Sequence, residues 1–344
     1  PMKSTSTSAQ LRTLLLDTLI GLYLAMTLHR VIWYKVVVSA DAPVFMWSDM
    51  LAYIATGVVF VMSARALGIS PSRRFLSNET QAGWRSAVAE HIGWILIVLT
   101  FVTGWIVSRV TVIDLLSTER LDAAGRLFKD LLNPDFTNTS LLSDTITSIV
   151  ETMYIAFMAT ALALPLSFVL AFASARNVMS QNTFTRAVYT FLRVVTNFTR
   201  SIEPLVWAVI FTVWVKVGPF PGMLALCVHT IASLAKQYSE QIEEVDRGPL
   251  EAIEATGARP LQVLWFAVVP QIFIPFLSFT IYRWDINVRM ATIIGLVGGG
   301  GIGSMLIQYQ MLADWRSVGM IVLVIAIVVW IMDYVSARIR EMLR

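Results

Sequence analysis

The sequence predicts an all-α integral membrane protein with about eight transmembrane helices, and two observations carry that expectation. First, 56% of the 344 residues are hydrophobic and only 14% are charged, whereas soluble domains carry about 25% charged residues. A single soluble core stops growing at about 250–300 residues, so this chain would leave much apolar surface in water. Second, the apolar residues fall in long runs. About 20 mostly apolar residues at about 1.5 Å each cross the hydrocarbon of a bilayer.

Eight stretches meet that length: 14–36, 46–67, 92–113, 147–174, 188–215, 222–241, 264–285 and 318–337. The third (ILIVLTFVTGWIV), the fourth (IAFMATALALPLSFVLAFA) and the last (MIVLVIAIVVWIM) are the most continuous. Arg30 and Lys35 interrupt the first. The sixth holds His229, Ser233 and Lys236, so it should face protein or a polar cavity and not lipid all round. With both termini inside, the cytoplasmic segments hold 16 of the 26 Lys and Arg residues, the sense of the positive-inside rule. Lys3 to Gln10 reads as a short polar lead-in and not as a cleaved signal peptide.

The chain divides into an extension at 1–70 with two spans, then residues 71–140, then a core at 141–344. The middle part holds a linker, the third span and an outer polar stretch. In that stretch LDAAGRLFKDLL has apolar residues at helical spacing and predicts a short amphipathic helix on the membrane surface.

Composition also excludes. The net charge of +3 comes without a basic run interleaved with aromatics, so no nucleic-acid partner is expected. One cysteine, Cys227, cannot form a disulfide within the chain, and no Cys/His metal spacing exists. HExxH, GxSxG and GxxxxGK[ST] are absent, so no catalytic residue, metal site or ATP phosphate cradle is expected here. Gly298-Gly299-Gly300-Gly301-Ile302-Gly303 holds a formal GxGxxG without the strand a dinucleotide site needs. Close packing, with Gly295 and Gly299 at GxxxG spacing, or a gate in the path, is the better reading.

The loop at 240–262, EQIEEVDRGPLEAIEATGARPLQ, carries six acids between two apolar stretches. Pro249 suits a first helical turn, and Gly257 suits the position just past the helix end, where φ is positive. The spacing predicts a short amphipathic helix, Pro249 to Thr256, standing off the membrane and shaped to dock into a groove on a partner.

These residues resemble a known family. Glu251-Ala252, Gly257 and Pro270 resemble the EAA loop of ABC importer permeases, with Ile253 where the third motif position usually holds Ala. EPLVWAVIF, VGPFPGMLALCVHT and VVPQIFIPFLSFTIYRWDINVRMATIIGLVGGGGIG, with Glu151-Thr152 and Pro165, extend the likeness over about 145–340 to the phosphonate-type permeases. Glu203 before Pro204 departs from that family's apolar residue.

The resemblance implies a type I ABC importer permease fold in a bacterial inner membrane, multi-pass, with both termini cytoplasmic. It implies a path for phosphonate or a related phosphorus oxyanion such as phosphite, delivered by an extracytoplasmic binding protein. A second permease copy, as a homodimer, and an ABC ATPase dimer are the other partners. ATP and Mg act in that ATPase; no cofactor is expected in this chain. The resemblance gives Glu251, Ala252, Glu254, Ala255, Gly257 and Ala258 as the ATPase-coupling residues. Arg289, Asn287, His229, Gly298, Gly299 and Gly300 are the candidates for the translocation path or gate; a structural Arg283–Asp285 or Arg289–Asp285 pair is the competing reading.

Besides a secondary transporter, which inverted repeats and broken midplane helices would mark and the sequence does not show, two other readings are open. One is an importer permease for another small solute, such as an amino acid. The other, from a different class, is a membrane-embedded lipid-modifying enzyme, which clustered His, Asp or Ser chemistry would mark. If the loop couples to an ATPase, Gly257→Asp abolishes transport while the protein inserts normally. Uptake by the variant in membranes holding normal amounts of it checks this.

Overall fold

The computed structural model describes residues 15–27, 53–59, 62–63, 84–107, 116–180 and 182–343. Among them there is no strand. The chain forms two compact units, Pro1–Arg120 and Leu121–Arg344.

In the first unit, α1 (Leu15–Thr27) and α2 (Trp84–Val107) are the main helices, with a helical stretch at 53–59. The rest of the first two sequence-predicted spans, and residues 108–113 of the third, lie outside the described residues. Apolar helices must satisfy their hydroxyls locally, and they do. Thr27, Thr100 and Thr103 each donate to the carbonyl four residues back, and Tyr23 Oη meets Thr100 Oγ1 at 2.5 Å to join α1 and α2. Gly57 lets the backbones touch, since a Cβ there would lie 3.2 Å from the Leu22 nitrogen.

The second unit begins within the amphipathic helix α3 (Thr118–Leu131), which covers the segment the sequence marked. Then follow α4 (Thr139–Ala173), α5 (Arg176–Met179), α6 (Thr183–Ser201), α7 (Pro204–Val215) and α8 (Pro219–Glu243). The short helix α9 (Arg247–Glu254) leads to α10 (Pro260–Gly295), α11 (Gly301–Met311) and α12 (Trp315–Met342). Among the described residues α4, α10 and α12 are long and apolar enough to cross a membrane.

The expected fifth span, 188–215, is not one helix: α6 and α7 meet at 88°. Proline pushes the residue before it out of the helical region, and Glu203, ahead of Pro204, is extended at φ −61° and ψ 140°. The seventh span is also longer than expected. It runs on to Gly295, so Arg283, Asp285, Asn287 and Arg289 lie in its body and not at its end.

The core is built on small residues. Along α4, Thr152, Ala156, Ala159, Thr160, Ala163, Ser167 and Ala171 are buried, one stripe at helical spacing. Small side chains let helix backbones approach, the usual basis of packing in a bilayer. Across from them α8 buries Ala225, Leu226, Ala232, Ser233, Leu234 and Ala235. This explains how a helix holding His229 and Lys236 stays in the unit: its polar side is met by protein.

Glycines close the turn between α10 and α11. A Cβ on Gly222 would lie 2.3 Å from the Gly299 carbonyl, and one on Gly303 2.0 Å from the Thr292 carbonyl. Gly295 and Gly299 do not form one helical GxxxG face, because α10 ends at Gly295; Gly295 packs on Gly303, and Gly299 on Gly222. Gly125 in α3 has nothing within 4 Å of a Cβ. Gly303→Val should therefore lower stability by about 1–3 kcal/mol or more, whereas Gly125→Ala should raise it slightly through helix propensity. Thermal midpoints of the two variants in one detergent check the opposite signs.

Candidate functional site

Two regions of the second unit gather the polar residues: the loop between α8 and α10, and the interior where α4, α8, α10 and α12 meet.

The loop helix α9 begins two residues earlier than expected and ends two earlier. Asp246 caps it, accepting from the Gly248 nitrogen at 3.2 Å. None of its residues is buried. Leu250 packs against a cluster of Tyr238, Ile242, Val268, Ile272 and Phe276, so the helix has an anchored side. Glu251, Ala252, Glu254 and Ala255 are exposed, as is Gly257, and Ala258 is half-buried. The row thus presents two carboxylates, each followed by a small alanine side chain. Gly257 has φ +77°, which only glycine adopts without strain. No atom lies within 4 Å of where its Cβ would be, so any close approach at this residue must come from outside the chain.

The loop is held at both ends. At its start Glu243 Oε1 accepts from the Arg176 nitrogen at 2.8 Å and from Arg193 Nη1 at 3.2 Å, tying α8 to α5 and α6. Beyond it, Gln271 Oε1 accepts from the Asp246 nitrogen at 3.1 Å, and Gln271 Nε2 donates to the Ala267 carbonyl at 2.8 Å. Between these ties α10 makes a π turn at Leu264–Val268. Pro270 explains it: proline has no N–H to give and its ring crowds the carbonyl four back. A wider turn accommodates that loss.

In the interior, Asn287 is 1% exposed. Its Nδ2 donates to Thr160 Oγ1 and Thr230 Oγ1, both at 2.9 Å, knotting α10 to α4 and α8. Thr152 holds the turn between α10 and α11, where Ile302 N donates to its Oγ1 at 2.8 Å. Gly300 has φ +77° and sits against Pro219; Gly298 accepts from the Gly218 nitrogen at 2.9 Å. Gly298, Gly299 and Gly300 thus form a packed turn against the start of α8.

Arg289 bridges Asp285 at 2.7 Å and Asp333 of α12 at 3.2 Å. Of the two structural pairs the sequence allowed, the Arg289–Asp285 pair is present, and Arg283 has no ion pair among the described residues. His229 lies elsewhere, its Nδ1 3.2 Å from the Ile202 carbonyl at the α6–α7 bend. The residues proposed for a path therefore separate into a knot (Asn287), an ion-pair network (Arg289), a packed turn (Gly298–Gly300) and the bend (His229). The sequence reading missed Arg200 at that bend; the spacing of Arg186, Arg193 and Arg200, seven residues apart on one helix face, was the available signal.

Only Asp285 is buried in this network, Arg289 being 42% and Asp333 45% exposed, so removing Arg289 strands one buried carboxylate and costs less than losing a partner of a fully buried pair. Arg289→Met should lower the unfolding midpoint, and Arg289→Met with Asp285→Asn should recover part of it. A double-mutant cycle on purified protein measures the difference.

Residues 164–343 match the family described as binding-protein-dependent transport system inner membrane component. The phosphite transport system permease protein PtxC of Stutzerimonas stutzeri is 36% identical over 221 residues, which is 64% of this chain and 78% of that one. The phosphate-import permease protein PhnE of Mycolicibacterium smegmatis is 38% identical over 195 residues, 56% of this chain and 36% of that one. Among solved structures, a chain of the inward-facing MetNI methionine ABC transporter superposes with a TM-score of 0.51 at 21% identity, covering 61% of this chain and 99% of that one. That likeness speaks for the fold.

Proposed function

We propose a mechanism for this chain from one premise: it belongs to the family of binding-protein-dependent transport system inner membrane components. It is the membrane-spanning subunit of an ATP-driven importer, and its cargo is a phosphorus oxyanion of the phosphite, phosphonate or phosphate class. The 36% identity to a phosphite permease over 78% of that protein supports the cargo.

The loop helix is the coupling element. The observation that carries this is an exposed row, Glu251, Ala252, Glu254 and Ala255, on a helix anchored by Leu250 and closed by Gly257 at φ +77°. An amphipathic helix standing off a membrane protein docks into a groove on a partner. The partner here is a separate ABC ATPase dimer, which binds ATP and Mg and hydrolyses the nucleotide. Two permease copies, one per ATPase, form the path, and an extracytoplasmic binding protein delivers the solute. In this arrangement the loop and both termini face the cytoplasm.

The ties around the loop make it a lever. A displacement of α9 reaches α10 through Gln271 and α6 through Glu243 and Arg193. The half of the path built from these helices therefore moves when the ATPases close.

The test is uptake of labelled phosphite and of an alkylphosphonate by cells lacking the gene, complemented with wild type, Gly257→Val or Gly257→Asn. A β-branched residue at positive φ is costlier than asparagine, which tolerates that region. Wild type restores uptake that stops when ATP is depleted, Gly257→Asn keeps part of it, and Gly257→Val loses it. Uptake of a different solute only would keep the mechanism and discard the cargo. Uptake indifferent to ATP and to residue 257 would overturn the coupling assignment.

A further inference from the structure

The fate of two arginines on one helix differs. Arg289 is matched by Asp285 and Asp333. Arg283 is not: its Nε is buried without a hydrogen-bond partner, and no carboxylate lies within ion-pairing distance among the described residues. Arg283 lies in the body of the apolar helix α10, and His229 within α8. A cation without a counter-charge in an apolar span is costly, so its retention there fits an anion as ligand.

The bend supplies the second cation. Arg200 is in the last turn of α6, two residues before Ile202, whose carbonyl lies 3.2 Å from His229 Nδ1; Thr230, next to His229, accepts at 2.9 Å from Asn287, about one helical turn beyond Arg283. A carbonyl only accepts, so the His229 Nδ1–H donates to Ile202 across 3.2 Å and pins the bend against α8. Glu203, exposed at the start of α7, follows Ile202 directly. Three helices thus bring two guanidinium groups and one carboxylate to the region of the bend, a net positive group of charges, and Arg200 and Glu203 open it to the surface of the subunit.

We propose that Arg283 and Arg200 hold a phosphoryl-type oxyanion within the translocation path, with His229 positioning the bend that brings them together. This rests on the reading of the chain as a phosphorus-oxyanion importer and names the station inside it. Guanidinium forks match the paired oxygens of such anions. Glu203 weakens the hold, which a path needs if its cargo is to leave.

The experiment uses the permease–ATPase assembly in phosphatidylcholine nanodiscs, without binding protein, titrated with labelled phosphite. ATP-driven uptake by the complete transporter in liposomes runs in parallel. A charge-assisted contact in a desolvated site is worth about 1.5–3 kcal/mol, so Arg283→Gln should weaken phosphite binding about tenfold or more. Arg283→Lys should weaken it less, the exposed Arg200→Gln should weaken it too, and Glu203→Gln should tighten it. Unchanged binding in Arg283→Gln and Arg200→Gln would overturn the station. So would Glu203→Gln weakening binding as much as the arginine variants, because that marks loss of structure and not of charge. Competition by phosphatidylglycerol in the nanodisc would make the site a lipid headgroup site and also overturn it. The two readings fail separately. Wild type that transports another solute but neither binds nor carries phosphite sinks the cargo. Wild type that carries phosphite while Arg283→Gln carries it equally well sinks only the station.

Discussion

Everything in the second unit depends on how polar groups are satisfied where water is absent. The knot at Asn287 is the central case. Its amide reaches Thr160 on α4 and Thr230 on α8, and both hydroxyls are themselves buried. An unpaired amide in such surroundings costs several kcal/mol, so the three helices cannot slide past one another without loss. The small-residue stripe of α4 is what brings them close enough for the contact. Shape and hydrogen bonding thus fix the same register independently, which is why the core tolerates so much polar sequence.

A second fastening lies nearer the loop. Tyr238 of α8 stacks on Phe276 of α10 with ring centroids 3.9 Å apart, and its hydroxyl meets Thr280 Oγ1 at 2.5 Å. Asn287 and Tyr238 therefore clamp α8 to α10 at two levels. Helices joined at two levels move as one body. The π turn at Leu264–Val268 sits between this clamped body and the exposed helix α9. Such turns are wider than α-helical ones and often occur at functional sites. Pro270 places that turn at the root of the proposed lever, which would give its position in the loop a mechanical reason.

Much of this was legible in the sequence, and the losses have physical causes. The amphipathic helix at 118–131, the loop helix and the positive φ at Gly257 follow from local chemistry: periodicity, capping and the one residue without a Cβ. The protein-facing character of α8 was legible too, since His229, Ser233 and Lys236 could not all face lipid. The bend between α6 and α7 was hidden because apolar residues continue through it; hydropathy averages over direction, and Glu203-Pro204 is a two-residue signal within it. The length of α10 was hidden for another reason. Charges at 283–289 look like a helix end until the counter-charge is found, and Asp333 is 44 residues further on than Arg289.

That last point explains why sequence pattern alone does not choose between two arginines for the path. Both Arg283 and Arg289 lie on a long apolar helix, and residue type alone makes each a match for an oxyanion. What separates them is the neighbourhood: Asp285 is one helical turn from Arg289 and shares it with Asp333, so that guanidinium is already neutralised and its network joins α10 to α12. A guanidinium so engaged has little attraction left for a passing anion. Arg283, with no carboxylate at ion-pairing distance among the described residues, keeps its field. Neutralised charge holds helices together and unneutralised charge attracts a ligand, so one helix can serve both purposes through residues less than two turns apart.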